Sequence, residues 1–193
     1  MNQMNKHLDK LLFFTAVGLL LLPVKGWSQI PSNIASVALN APLAESLTVT
    51  LTGATTVNFA LVAGGIAPGS TTVPIQTKWV LKPARTTVTL LGYFATTNAL
   101  TDPGPPVANI LSSNVFGLVP TGSPVVMTAF TQNGVGGIGT VGASLQLFSE
   151  LITGLNKNKT RTDTLSLQID LTTAPQQPAG NYTGTLLIQA VAT

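Results

Sequence analysis

The sequence predicts an all-β protein, a single immunoglobulin-like antiparallel β-sandwich of about eight or nine strands. Three observations carry this. Short runs rich in β-branched and aromatic residues recur along the chain, each closed by Gly, Pro, Asn or Ser. Threonine appears in nearly every apolar run while charged residues make up only 8% of the chain, so strand faces are made polar with hydroxyls instead of charges. No segment shows a sustained helical period, and a closed barrel is the alternative architecture.

The leader "MNQMNKHLDKLLFFTAVGLLLLPVKGWSQ" sets Lys6, His7 and Lys10 before an apolar run from Leu11 to Val24, with Gly26 and Ser28 at the small-residue positions of a cleavage site. Residues 1–28 therefore read as a secretory signal peptide. The run is shorter than the ~20 residues that span a bilayer, and no later segment approaches that length; a retained signal anchor is the alternative. The expected mature chain, residues 29–193, is secreted to the periplasm, the cell surface or the medium and has no transmembrane segment. It contains no cysteine, so neither a lipid anchor nor a disulfide framework is available and the core must hold the fold.

Residues 29–45 read as an N-terminal strand or extension. In "IASVALNAPLA", Val37, Leu39, Ala41 and Leu43 alternate, with Pro42 marking a break or an edge. These four residues are the candidate interaction site, as a strand donated to another subunit or as a first strand of the domain's own sheet. The sandwich domain proper spans 46–193. Leu47, Val49 and Leu51 continue the alternation, and "TTVNFALVAGG" follows as a further run. After the turn "IAPGS" come "TTVPIQTKWVLKPAR" and "TTVTLLGYFATT".

The centre, "TDPGPPVANILSSNVFGLVPTGSP", is dense in Pro and Gly and reads as a long connection with one short helix or strand around Ile110 to Leu118. "VVMTAFT" reads as a strand and "QNGVGGIGTVGAS" as a flexible loop. In "SLQLFSELITGL", Leu145, Phe148, Leu151, Ile152 and Leu155 share a helical stripe whereas Leu145 and Leu147 alternate; residues 144–155 are assigned to a strand because their neighbours are strands. "RTDTLSLQIDLT" is the clearest element, with Leu165, Leu167, Ile169 and Leu171 on one face and Thr164, Ser166, Gln168 and Asp170 on a wet one. After the turn "TAPQQPAGN", "YTGTLLIQAVAT" returns with Leu186, Ile188 and Ala190 on one side and Leu187 and Val191 on the other, a pattern that predicts cover on both faces.

Composition excludes much chemistry. Lys6, Lys10, Lys25 and Asp9 leave with the leader, and the remaining charges nearly balance, so a nucleic-acid footprint is not expected. The only histidine, His7, is in the leader, which removes triads and histidine-based metal sites from the mature chain. "GVGGIG" matches a dinucleotide fingerprint at Gly134, Gly136 and Gly139. It lacks both the helix and the later acidic residue that would give it meaning. The acids Glu45, Asp102, Glu150, Asp163 and Asp170 are scattered, and Asp163 and Asp170 read as solvated strand positions. They leave a glycosidase-like pair or a calcium site at Asp102 only as minor alternatives. The expectation is a protein that is not an enzyme and uses no cofactor or metal.

Trp79, Tyr93 and Phe94 are the aromatics that stacking on a carbohydrate would need, with Trp79 read first as a core residue. "NKT" at Asn158 and "NYT" at Asn181 fit the glycosylation pattern. Lys157, Lys159 and Arg161 in "KNKTR" read as a solvated hairpin tip.

The closing stretch "PAGNYTGTLLIQAVAT", with "RTDTLSLQIDL" before it, resembles the end of bacterial secreted β-sandwich proteins of the spore-coat-U and fimbrial-subunit kind. The family's usual cysteine pair is missing here. The resemblance implies an exported, non-enzymatic structural or surface subunit that self-associates or joins other surface subunits through strand edges, by strand donation in some members. A secreted module binding carbohydrate or protein is the alternative.

Overall fold

In the computed structural model, residues 32–193 are described; the leader reading lies outside them. Residues 32–41 and residues 42–193 are separate units. Residues 32–45 contain no strand, and Val37, Leu39 and Leu43 among them are exposed.

The described residues are all-β and antiparallel, with eleven strands in three sheets where eight or nine were expected. In order they are β1 (Ser46–Leu51), β2 (Ile66–Pro68), β3 (Val73–Val80), β4 (Thr87–Tyr93), β5 (Asn98–Asp102), β6 (Ala108–Leu111), β7 (Val115–Leu118), β8 (Thr128–Ala129), β9 (Ser144–Leu151), β10 (Asn158–Asp170) and β11 (Leu187–Ala192). A six-stranded sheet runs β1-β3-β10-β7-β8, with β2 also on β10; a three-stranded sheet runs β11-β4-β9; β5 and β6 form a hairpin. Among the described residues no helix is long and apolar enough to cross a membrane.

The two larger sheets share one core. Ile75 and Trp79 of β3, Val115 of β7, and Leu165, Leu167 and Ile169 of β10 meet Val88 and Leu90 of β4 and Leu145, Leu147 and Phe148 of β9. Alternation explains β10, where every odd position from Asp163 to Ile169 is buried. It fails in β9 for a local reason. Leu90 pairs with Phe148 but Leu91 pairs with Gln146, so Leu147 is the extra residue of a bulge and both Leu147 and Phe148 turn inward. That bulge accounts for the helix-like spacing of Leu145 and Phe148; the segment is a strand as far as Leu151, and residues 152–155 lie outside it.

The long connection resolves into β6, a 3-10 turn (Ser112–Asn114) and β7. "VVMTAFT" supplies only the two residues of β8, and Val125 and Val126 are exposed. "TTVNFALVAGG" forms no strand, whereas the expected turn at Ile66–Pro68 does. The ladder gives the reason: β2 and β3 pair with β10 as one interrupted strand, and residues 69–72 bulge out opposite Ser166 and Leu167. β1 follows β3 only as far as Leu51, opposite Ile75. Beyond it the chain is tied to the bulge by Asn58, whose amide donates to Ser70 Oγ at 3.1 Å and whose carbonyl accepts from the Ser70 amide at 2.8 Å. β11 is an edge strand; on its outer face Val191 is half-buried but Leu187 is exposed, so the expected cover on both faces is met only in part.

Candidate functional site

A groove of about 470 Å³ opens where the six-stranded sheet and the three-stranded sheet part company. Its floor is core: Val73, Val115, Leu167 and Ile169 from one sheet, Phe94 and Ile188 from the other. One wall is the segment from Leu51 to Leu61, the other the stretch from Asn181 to Leu186 that leads into β11.

The first wall behaves as a strand without a ladder. Val57, Phe59 and Leu61 are half-buried while Asn58, Ala60 and Val62 are exposed, and past Leu51 its only bridge is Phe59 to Gly69. The second wall is similar: it touches the hairpin through a single bridge, Thr101 to Thr183, before β11 begins. The edges of β1 and β11 border the same side of the molecule, and Leu47, Val49, Leu186, Ile188, Ala190 and Ala192 there are only partly buried. The groove therefore presents apolar side chains with unpaired strand edges beside them, the surface an extended segment of alternating polarity would fill.

An ion pair closes the seam at the start of β1. Arg85 donates through Nε to Glu45 Oε1 at 2.9 Å, and its other nitrogens reach Glu45 Oε2 and the Ala192 carbonyl. The hydrogen bond from Arg85 holds the Glu45 carboxyl below its ordinary range.

The remaining candidates fall elsewhere. Asp163 is buried, not solvated, and Lys159 and Arg161 are not a free tip. Arg161 donates twice to Asp163 and once to Glu150, Lys159 pairs with Glu150, and Thr121 Oγ1 donates to Asp163 Oδ1 at 2.8 Å. Burial pushes the Glu150 carboxyl up, but hydrogen bonds from Lys159, Asn156 and Arg161 outweigh it and the net shift is downward. Two carboxylates thus come together around Arg161, each held in ion pairs. Asp170 stays half-exposed and is held low by the Thr172 hydroxyl and amide. Asp102 accepts from the Gly104 amide. Among the described residues no cluster of three potential metal ligands forms.

Trp79 is fully buried, with Nε1 donating to the Asn156 carbonyl at 2.8 Å, which bears out its reading as core. Phe94 is buried edge-on against Phe130. Only Tyr93 of the three aromatics is partly exposed, its hydroxyl on Gln189, so the stacking platform expected for carbohydrate does not form. Asn158 and Asn181 are both exposed, and Asn181 stands at the groove.

Sequence reasoning missed Val57, Phe59, Leu61 and Tyr182 as groove residues. Their alternation was visible; the missing neighbour was not. No known protein family matches the chain, and no curated protein matches it either.

Proposed function

We propose that this is an exported, non-enzymatic structural or surface protein, an immunoglobulin-like sandwich that assembles with further copies or other surface subunits through its strand edges. The observation that carries this reading is the apolar groove between walls that lack a sheet partner. Its complement is on the same chain. Val37, Leu39 and Leu43 are each more than four-fifths exposed, Ala41 lies between them, and all four stand outside any strand. An alternating row of exposed apolar residues costs a solitary secreted chain solubility, and a groove of matching character in another subunit offsets that cost. The near balance of charge leaves strand edges unguarded, which favours the same outcome.

The test compares residues 29–193 with the chain lacking residues 29–44, by light scattering and negative-stain imaging. Ordered oligomers or fibres that vanish on truncation are expected. A monomer in both forms at high concentration overturns the reading.

A further inference from the structure

The glycine-rich stretch between β8 and β9 is not the flexible loop its composition predicts. Val135 and Ile138 exchange backbone hydrogen bonds of 3.0 and 3.2 Å around Gly136 and Gly137, whose φ values of 60° and 83° a two-residue hairpin turn of this hand requires. Its base is pinned by the Gln132–Ser144 bridge, by the Gln146 amide donating to Gln132 Oε1 at 2.7 Å, and by Ser144 Oγ at 2.7 Å from both the amide and the carbonyl of Thr140.

This hairpin lies across the outer face of the three-stranded sheet. A Cβ on Gly139 would stand 3.3 Å from Leu91 Cδ2, and one on Gly136 would stand 2.9 Å from Val191 Cγ2 and 3.4 Å from Thr193. It accordingly buries Leu91 of the central strand fully, and its tip rests on β11. β11 has a ladder partner on one side only, β4. The hairpin thus adds a hold on the outer face of an edge strand.

We propose that the hairpin is a clasp for β11: its opening and the detachment of β11 from β4 are one local event that leaves the six-stranded sheet intact. Because Ile188 of β11 belongs to the groove's floor, the clasp also decides whether that part of the floor is in place. This consequence rests on the groove reading; the clasp itself does not.

Hydrogen exchange of the β11 amides, with β10 as internal reference, tests it. Gly139→Val places a side chain against Ser144 Oγ at 2.8 Å and Gly134 Cα at 2.9 Å in a backbone of φ 89°, so the hairpin cannot close. Exchange in β11 is expected to accelerate at least about tenfold with β10 unchanged. The pair Gly136→Cys and Val191→Cys lies within disulfide reach and meets no native thiol. Oxidation is expected to slow β11 exchange at least about tenfold, and reduction to restore it. The clasp is overturned if β11 exchange is unchanged by the oxidised pair, or if β11 and β10 exchange only together in the unmodified protein. The disulfide arm decides if Gly139→Val does not fold.

Discussion

Arg161 grips Asp163 through two hydrogen bonds of 2.8 Å, from Nε and from a terminal nitrogen, while the guanidinium carbon lies 4.4 Å from the centre of the Phe148 ring. The Asp163 side chain is completely buried, so its charge has these donors and Thr121 in place of water. Arg161 and Asp163 both stand on β10; Arg161 carries the link to β9, in the other larger sheet, through Phe148 and Glu150, and Lys159 extends it to the surface.

Removing one partner strands the other. Arg161→Ala is expected to destabilise the fold by about 3–5 kcal/mol because it leaves the Asp163 carboxylate buried without its counter-charge. Lys159→Ala, at a site whose side chain is 40% exposed, is expected to cost less than about 1 kcal/mol. Urea melts followed by Trp79 fluorescence measure both, since Trp79 is the only tryptophan of residues 29–193. Equal losses in the two variants would refute the distinction.

The same network sets an acid limb. Glu150 is held below its ordinary value of 4.5 in the folded protein, so its contribution is present above that value and is lost as pH falls through the lower folded value. Stability is expected to fall as pH drops below 4.5, and Glu150→Gln to flatten that fall. Identical acid limbs in the two proteins would remove Glu150 from the explanation.

Thr77 carries a cost inside the core. Its side chain is buried on β3 between Ile75 and Trp79, and Oγ1 has no hydrogen-bond partner. Thr77→Val keeps the shape and removes the orphan hydroxyl, and is expected to raise stability by about 1 kcal/mol. A lowered thermal midpoint would mean that the hydroxyl is satisfied in solution.

Thr193 is a structural residue. Its carbonyl accepts from the Thr86 amide at 2.6 Å and the Thr87 amide at 3.2 Å, and its amide donates to the Thr87 carbonyl at 3.1 Å. Deleting it is expected to cost about 2 kcal/mol and to speed exchange in β11 first. An unchanged melt would show that these bonds fray.

Val37→Asp with Leu39→Asp separates assembly from folding. Both positions are exposed, so the urea midpoint is expected to stay within about 0.5 kcal/mol of the parent. Light scattering is expected to show oligomers lost. Oligomers that persist would place the contact elsewhere.

Local rules were enough for much of this protein. Alternation in Leu165, Leu167 and Ile169 and the β-branched run at Val73–Val80 specified strands, because a pleated chain puts every second residue on one face whatever its neighbours are. The absence of cysteine and, past residue 28, of histidine narrowed the chemistry in the same local way. What the tertiary structure decided were matters of partnership. Val57, Phe59 and Leu61 alternate as a strand does, yet the bulge at residues 69–72 takes the ladder away and leaves them as the wall of a groove. Asp163 sits on an alternating strand like its neighbours, and only the approach of Glu150 and Thr121 from other segments let Arg161 enclose it. Periodicity records which face a residue turns inward; whether anything waits there depends on contacts between residues far apart in the chain, which no local pattern encodes.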